Sequence, residues 1–255
     1  MSSNPIRSLD AWGAEPDGRG LNHRFFIAEH FTMTNRSAEP SAPAPTRASV
    51  AKRAAAKARS HTDAATAQQL LLRAAGELFY LEGVRAVGVD AVVERAGVNK
   101  MSLYRQFSSK DELVVAYLEQ ANDCFFSYFD QSIGQHPGDP VRQIEQYFED
   151  LQYRASREGY RGCPFVNVAA EFPDPSHPAR EIVARNKAQL MERLVALTTQ
   201  AGAEDPAGLA DALALLLEGV YAASQTYGPG GGPVRSAGRV AAQLVAAACP
   251  KRVHA

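Results

Sequence analysis

Between Lys100 and Lys110 the chain reads K-M-S-L-Y-R-Q-F-S-S-K, which sets three cations, a tyrosine and three serines within two helical turns and the corner that follows. Lys100 and Arg105 bring charge and hydrogen-bond donors suited to base edges or phosphates. Ser102 and Tyr104 bring hydroxyls suited to phosphate oxygens, and Lys110 stands where one backbone contact would fix a register. Phosphate neutralisation releases counterions, so such a surface loses affinity as salt rises. A few cations on a helix are more often only its solvated face, so the elements around them decide between the readings.

Leu103 and Phe107, four residues apart, share a face and predict a helix over 100–107 that buries them. At about 100° per residue, Met101 and Arg105 then point away from the core. Upstream, A-Q-Q-L-L-L-R-A-A-G-E-L-F-Y-L-E predicts a helix over 67–82 that stops at Gly83. G-V-D-A-V-V-E-R-A-G-V predicts a short one opened by Gly88 and closed by Gly97 in a tight corner. Ser109 with Glu112 three residues later reads as a capping box that starts a long fourth helix. A helix of eight residues is roughly 12 Å long, close to the width of a B-DNA major groove, and the helix before it supplies its presentation.

Downstream, Asp139-Pro140, His177-Pro178, Asp205-Pro206 and Gly232-Pro233 each join a break to a proline suited to the first turn. They predict helices over 140–157, 178–200, 206–226 and 233–248. No segment reads as a strand. The expected fold is all-α: an N-terminal three-helix helix-turn-helix domain (61–112) joined through a long helix to a larger helical effector and dimerisation domain (113–250). Residues 1–60 are rich in Pro, Ala, Ser and Lys/Arg and suit a disordered or extended arm, and Met33 is a candidate native start.

A formal net charge of -1 excludes overall basicity as an argument for a nucleic-acid partner. The distribution matters more: from Arg47 to Lys110 there are eleven cations against five acids, and the remainder is net acidic. The basic arm (Arg47, Lys52, Arg53, Lys57, Arg59) suits a minor groove or phosphates about as well as it suits a solubilising tail. Cys124, Cys163 and Cys249 fit neither a disulfide framework nor a zinc site, which points to a reducing cytoplasm with no metal or cofactor. No run approaches the roughly 20 apolar residues of a membrane span, so export and insertion are not expected.

The stretch G-V-R-A-V-G-V-D-A-V-V-E-R-A-G-V-N-K-M-S-L-Y-R-Q-F-S-S-K-D-E-L-V, residues 83–114, resembles the DNA-binding signature of the TetR/AcrR family of bacterial transcriptional regulators. Its L-Y-x-x-F-x-S-K core carries the resemblance, which extends over some 45 residues from Leu70. The resemblance implies that Asn99, Lys100, Met101, Ser102, Arg105 and Gln106 lie at or near the operator and that Tyr104 and Lys110 hold phosphates. Met101 departs from the family's usual glycine, and Gly88 stands where many members cap with threonine.

In the body, aromatic residues at helical spacing mostly fill core, but a minority suit the walls of a ligand site between helices. The wall candidates are Phe125, Phe129, Tyr147, Leu151, Cys163, Phe165, Met191 and Tyr221. The segment Y-R-G-C-P-F-V-N resembles a G-C-P-F-x-N stretch in one branch of TetR-like regulators. Cys163, ahead of Pro164, sits where helix amides can lower a thiol pKa, which motivates an oxidant or electrophile sensor; a small buried hydrophobe is the stronger reading. Leu209, Leu213, Leu217, Val220, Val240 and Leu244, among many alanines, are expected in a four-helix interface between two copies. The resemblance implies a homodimer on palindromic double-stranded operator DNA, released by a small-molecule effector. An architectural DNA binder and a thiol enzyme pairing Cys163 with His177 are the rivals. The acidic body weighs against the first; the second lacks a third orienting group.

Overall fold

The computed structural model describes residues 64–249, which form ten helices and no strand. They are α1 (Ala64–Glu82), α2 (Val89–Ala96), α3 (Lys100–Gln106), α4 (Lys110–Gly134), α5 (Pro140–Ala155), α6 (Pro164–Glu171), α7 (Pro178–Gln200), α8 (Pro206–Thr226), α9 (Gly232–Arg235) and α10 (Ala237–Ala248). The arm expected over 1–60, and with it Met33, lies outside the described residues.

The first three helices and the start of α4 close around Leu71, Val92, Leu103, Phe107 and Leu113, each almost wholly withdrawn from solvent. The α2–α3 corner turns at Gly97 (φ +66), whose N–H donates to the Glu94 carbonyl while that of Val98 reaches Val93. Such a left-handed residue satisfies the last carbonyls of a helix and favours glycine. α3 ends one residue earlier than expected, because Phe107 turns to an extended conformation while its side chain stays buried. The capping box is also displaced: Ser109 Oγ accepts the Glu112 N–H at 3.1 Å, but the Glu112 carboxylate returns to the N–H and Oγ of Ser108, both at 2.6 Å.

The body packs α4 against α5 and α7, α7 against α8, and α10 against α5 and α8. Asp139, His177 and Asp205 each cap a helix whose first residue is proline. Phe129, Phe148, Phe165 and Leu213 fill the space between them. The last long helix of the sequence reading is instead two, α9 and α10, divided at Ser236. There Ser236 Oγ bonds back to the Gly232 carbonyl at 2.9 Å, and the Gly238 N–H leaves the helical ladder for Gln152 Oε1 at 3.1 Å. α8 is long and apolar enough to cross a membrane by length and composition, contrary to the sequence reading, with a mean hydropathy of 1.3. In this fold it buries Leu209, Leu213, Leu217 and Val220 against neighbouring helices.

Candidate nucleic-acid interface and effector cavity

Leu103 and Phe107 anchor α3 from below, which leaves Met101 (66% exposed), Tyr104 (51%) and Arg105 on its outer surface. Arg105 makes no ion pair with any described residue. The other positions implied by the resemblance are partly engaged within the protein. Asn99 is the N-cap of α3: its Oδ1 accepts the Ser102 N–H at 2.8 Å and the Ser102 hydroxyl at 3.1 Å. Lys100 Nζ lies 2.7 Å from Asp90 Oδ1 on α2, and this carboxylate raises the lysine pKa. Gln106 is half-buried. Lys110 is half-buried too, and burial lowers its pKa against the opposing charges of Glu171 and Asp111. The freely presented set is therefore Met101, Tyr104 and Arg105, with Lys100 and Lys110 on its borders. Gly88 opens α2 without a side-chain cap, as its lack of a hydroxyl requires.

This unit is fastened to the body at two points. Tyr80 on α1 donates its hydroxyl to the Gly162 carbonyl at 3.1 Å and accepts the Arg161 N–H at 2.8 Å. The Glu171 carboxylate accepts the N–H groups of Val84 (3.1 Å) and Arg85 (2.7 Å) in the α1–α2 loop. Sequence reasoning singled out neither Tyr80 nor Glu171.

A small cavity lies where α4, α5, α8 and the segment 160–164 meet, with a volume of about 10 Å³, room for one water. Of the sequence-derived wall candidates, Phe125, Tyr147, Leu151, Cys163 and Tyr221 line it, together with Tyr128, Arg154 and Tyr160. Phe129 packs against Tyr147 with tilted rings at 4.9 Å, Phe165 packs edge-on to Phe125 at 6.1 Å, and Met191 rests half-buried on α7; none of the three lines the cavity. Arg154 escaped the sequence reading, although Tyr147, Leu151 and Arg154 follow the i, i+4, i+7 spacing of one helical face. Gly162 (φ +72) lets this segment approach α8 closely: a Cβ there would sit 3.0 Å from the Tyr221 carbonyl oxygen.

Cys163 differs from the activated thiol considered above. It is 2% exposed, and burial raises its pKa, outweighing Lys187, whose Nζ lies 3.9 Å from Sγ, and the helix amides. The thiol is held protonated. Alkylation of native protein by iodoacetamide at pH 7.5 is expected to leave Cys163 unmodified over a time that labels denatured protein fully; matched rates would contradict this burial. His177, the proposed partner of a thiol enzyme, caps α7 with Nδ1, stacks on Phe172 at 4.1 Å and faces Asp111 at 3.6 Å. Among the described residues no group of three or more His, Cys, Asp or Glu is placed to hold a metal ion.

The interface residues expected on α8 turn inward. Leu209, Leu213, Leu217 and Val220 are at most 5% exposed because they face the chain's own core, so they leave nothing for a second copy. The outer strip of α8 is Asp211, Leu215, Gly219 and Ala222, with Leu215 75% exposed. On α10, Val240 and Leu244 are half-buried and retain some outward surface.

Residues 71–117 match the family described as "Bacterial regulatory proteins, tetR family", and residues 140–236 match "Tetracyclin repressor-like, C-terminal domain". The transcriptional regulator AcuR of Cereibacter sphaeroides is 30% identical over 169 residues, covering 63% of this chain and 77% of that protein. The HTH-type transcriptional activator FasR of Mycolicibacterium smegmatis is 36% identical over 94 residues, 36% of this chain and 42% of its own. A TetR-family transcriptional regulator from Streptomyces coelicolor superposes with a TM-score of 0.69 at 29% identity, over 72% of this chain and 96% of that one.

Proposed function

The chain belongs to the tetR family of bacterial regulatory proteins and is a DNA-binding transcriptional regulator, and from that premise we propose that it is a cytoplasmic repressor, released from its operator by a small molecule. Residues 61–112 bind DNA and 113–250 carry the effector site and the dimer contact. The observation that carries the reading is the outer face of α3: among the described residues none covers Met101, Tyr104 or Arg105, while the buried Leu103 and Phe107 anchor the helix. Arg105 offers a planar, always charged fork to a base edge or phosphate, Tyr104 a hydroxyl to phosphate, and Met101 an apolar tip to a thymine methyl. Asn99 and Ser102 act by fixing the start of the helix.

Two copies related by a two-fold axis present two such helices to successive major grooves, so the operator is palindromic. The exposed strip of α8 and the outward part of α10 supply the contact. An effector that binds the DNA-incompetent spacing of the two helices better than the competent one shifts the population and releases the operator. FasR is named an activator, so the direction of control needs its own assay.

Selection of source-genome fragments on the full chain at physiological salt is expected to recover a small set of palindromic sites. Arg105→Ala should bind them about tenfold to hundredfold more weakly. A set of fragments without a shared site, or equal retention by Arg105→Ala, would contradict sequence reading by α3. Repression is tested by a reporter behind a recovered site, where higher expression in the presence of the protein would contradict it.

A further inference from the structure

We propose that the cavity at Arg154 is a site for a small organic carboxylate, its anionic end held by the Arg154 guanidinium and its apolar remainder between the rings of Phe125, Tyr147 and Tyr221. The inference rests on the reading of the body as an effector domain and names the class of effector.

Arg154 is the one ionised side chain among the residues that line the cavity. It is half-buried, makes no ion pair with any described residue, and lies over the Tyr128 ring at 5.2 Å. The acids near it are committed elsewhere. Asp150, one turn earlier on α5, accepts from Ser132 Oγ (2.7 Å), Gln135 Nε2 (3.0 Å) and Gln146 Nε2 (2.8 Å), and Glu218 is paired with Lys187. A half-buried guanidinium that no described carboxylate pairs with keeps hydrogen-bond donors to spare, and a bidentate carboxylate takes them.

The remaining polar walls lean the same way. Burial pushes the Tyr147 phenol up to about 12 and those of Tyr160 and Tyr221 well above their ordinary value, and it raises the Cys163 thiol. All stay protonated at neutral pH, so they add O–H and S–H donors and no negative charge. A neutral ligand would leave the cation unpaired, and a cationic one would be repelled.

Room comes from the same side chain. Beyond the Arg154–Tyr128 stack lies a second cavity of about 30 Å³, lined by Gln131, Ser132, Gln135, Asp150 and Tyr153 as well as by the stacked pair. Arg154 and Tyr128 border both spaces, so a guanidinium that moved off the ring on binding would open one toward the other, with the Asp150 carboxylate on the far wall held by its three donors. Occupancy also presses on the segment 160–164, which Tyr80 ties to the DNA-binding unit.

The test is calorimetry on the full chain with butanoate and benzoate, each against its amide, for the native protein, Arg154→Gln and Arg154→Lys. Thermal unfolding of each variant checks that it is folded. Both carboxylates are expected to bind saturably, at least about tenfold tighter than the amides. Arg154→Gln should lose that preference and Arg154→Lys keep part of it. Equal binding of acid and amide, an unaltered Arg154→Gln, or no saturable binding of either acid would overturn the proposal. Operator release separates the two readings. Carboxylate binding that leaves the operator bound supports the site and counts against effector release. Release by an amide alone keeps the regulator and removes the carboxylate site.

Discussion

Leu215→Glu is expected to convert the dimer to monomers and to weaken operator binding by on the order of a hundredfold or more. Leu215 is the most exposed large apolar residue of the described chain, at 75%, in an outer strip of α8 that continues through Gly219 and Ala222. Small residues there let another helix approach closely. In a two-fold interface a residue on the axis-facing strip meets its own copy or near neighbours, so one substitution introduces two like charges into a region that loses water. Burying an uncompensated charge costs about 3–5 kcal/mol, which is more than a hundredfold in association. Sedimentation of native and variant proteins at equal concentration reads the outcome directly. An exposed leucine that touches nothing would change neither stability nor association by more than about 0.5 kcal/mol, and an intact Leu215→Glu dimer would remove α8 from the interface. Leu213→Ala makes the contrasting case: with no exposure, it should cost the fold about 2–5 kcal/mol while the molecules that remain folded associate as before.

Leu213 and Leu215 also mark the limit of what was legible in the sequence. In α8 almost every position is apolar or small, so the helical period carries little contrast between the face turned to the core and the face turned outward. Only packing against α7 and α10 separates them. Where contrast exists the sequence was enough: Leu103 and Phe107 against Met101 and Arg105 oriented α3, and the Asp-Pro and His-Pro pairs marked the starts of α5, α7 and α8 to the residue. The Ser236 break was not legible because the group that caps the new helix is distant in sequence: Gln152 Oε1 on α5 accepts the Gly238 N–H in the first turn of α10. Cys163 follows the stronger of its two sequence readings, the small buried hydrophobe, and not the sensor. Its position before Pro164 suggested helix amides acting on a thiolate, but burial is a property of the surrounding helices and dominates its pKa.

Glu171→Ala should lower the thermal transition by roughly 5–10 °C, corresponding to about 2–4 kcal/mol in a folded unit of this size. Its two carboxylate oxygens take the N–H groups of Val84 and Arg85, while the Glu171 carbonyl faces Arg85 Nη1 at 3.4 Å. The α1–α2 loop is shaped around this carboxylate: Gly83 is left-handed (φ +93), and a Cβ there would come within 3.2 Å of Oε1. Val84 is 1% exposed, so after truncation its N–H has neither the carboxylate nor easy access to bulk water, and it bears most of the penalty. Arg85 is exposed and recovers a water. Glu171→Gln keeps one acceptor oxygen but turns an amide donor toward the second N–H, so it should fall between the two. Faster hydrogen exchange at the Val84 amide, with α10 amides unchanged, would localise the loss to the junction between the DNA-binding unit and the body. Equal thermal transitions for native protein and Glu171→Ala would mean that water replaces the carboxylate there, leaving Tyr80 as the tie between the recognition helices and the cavity wall.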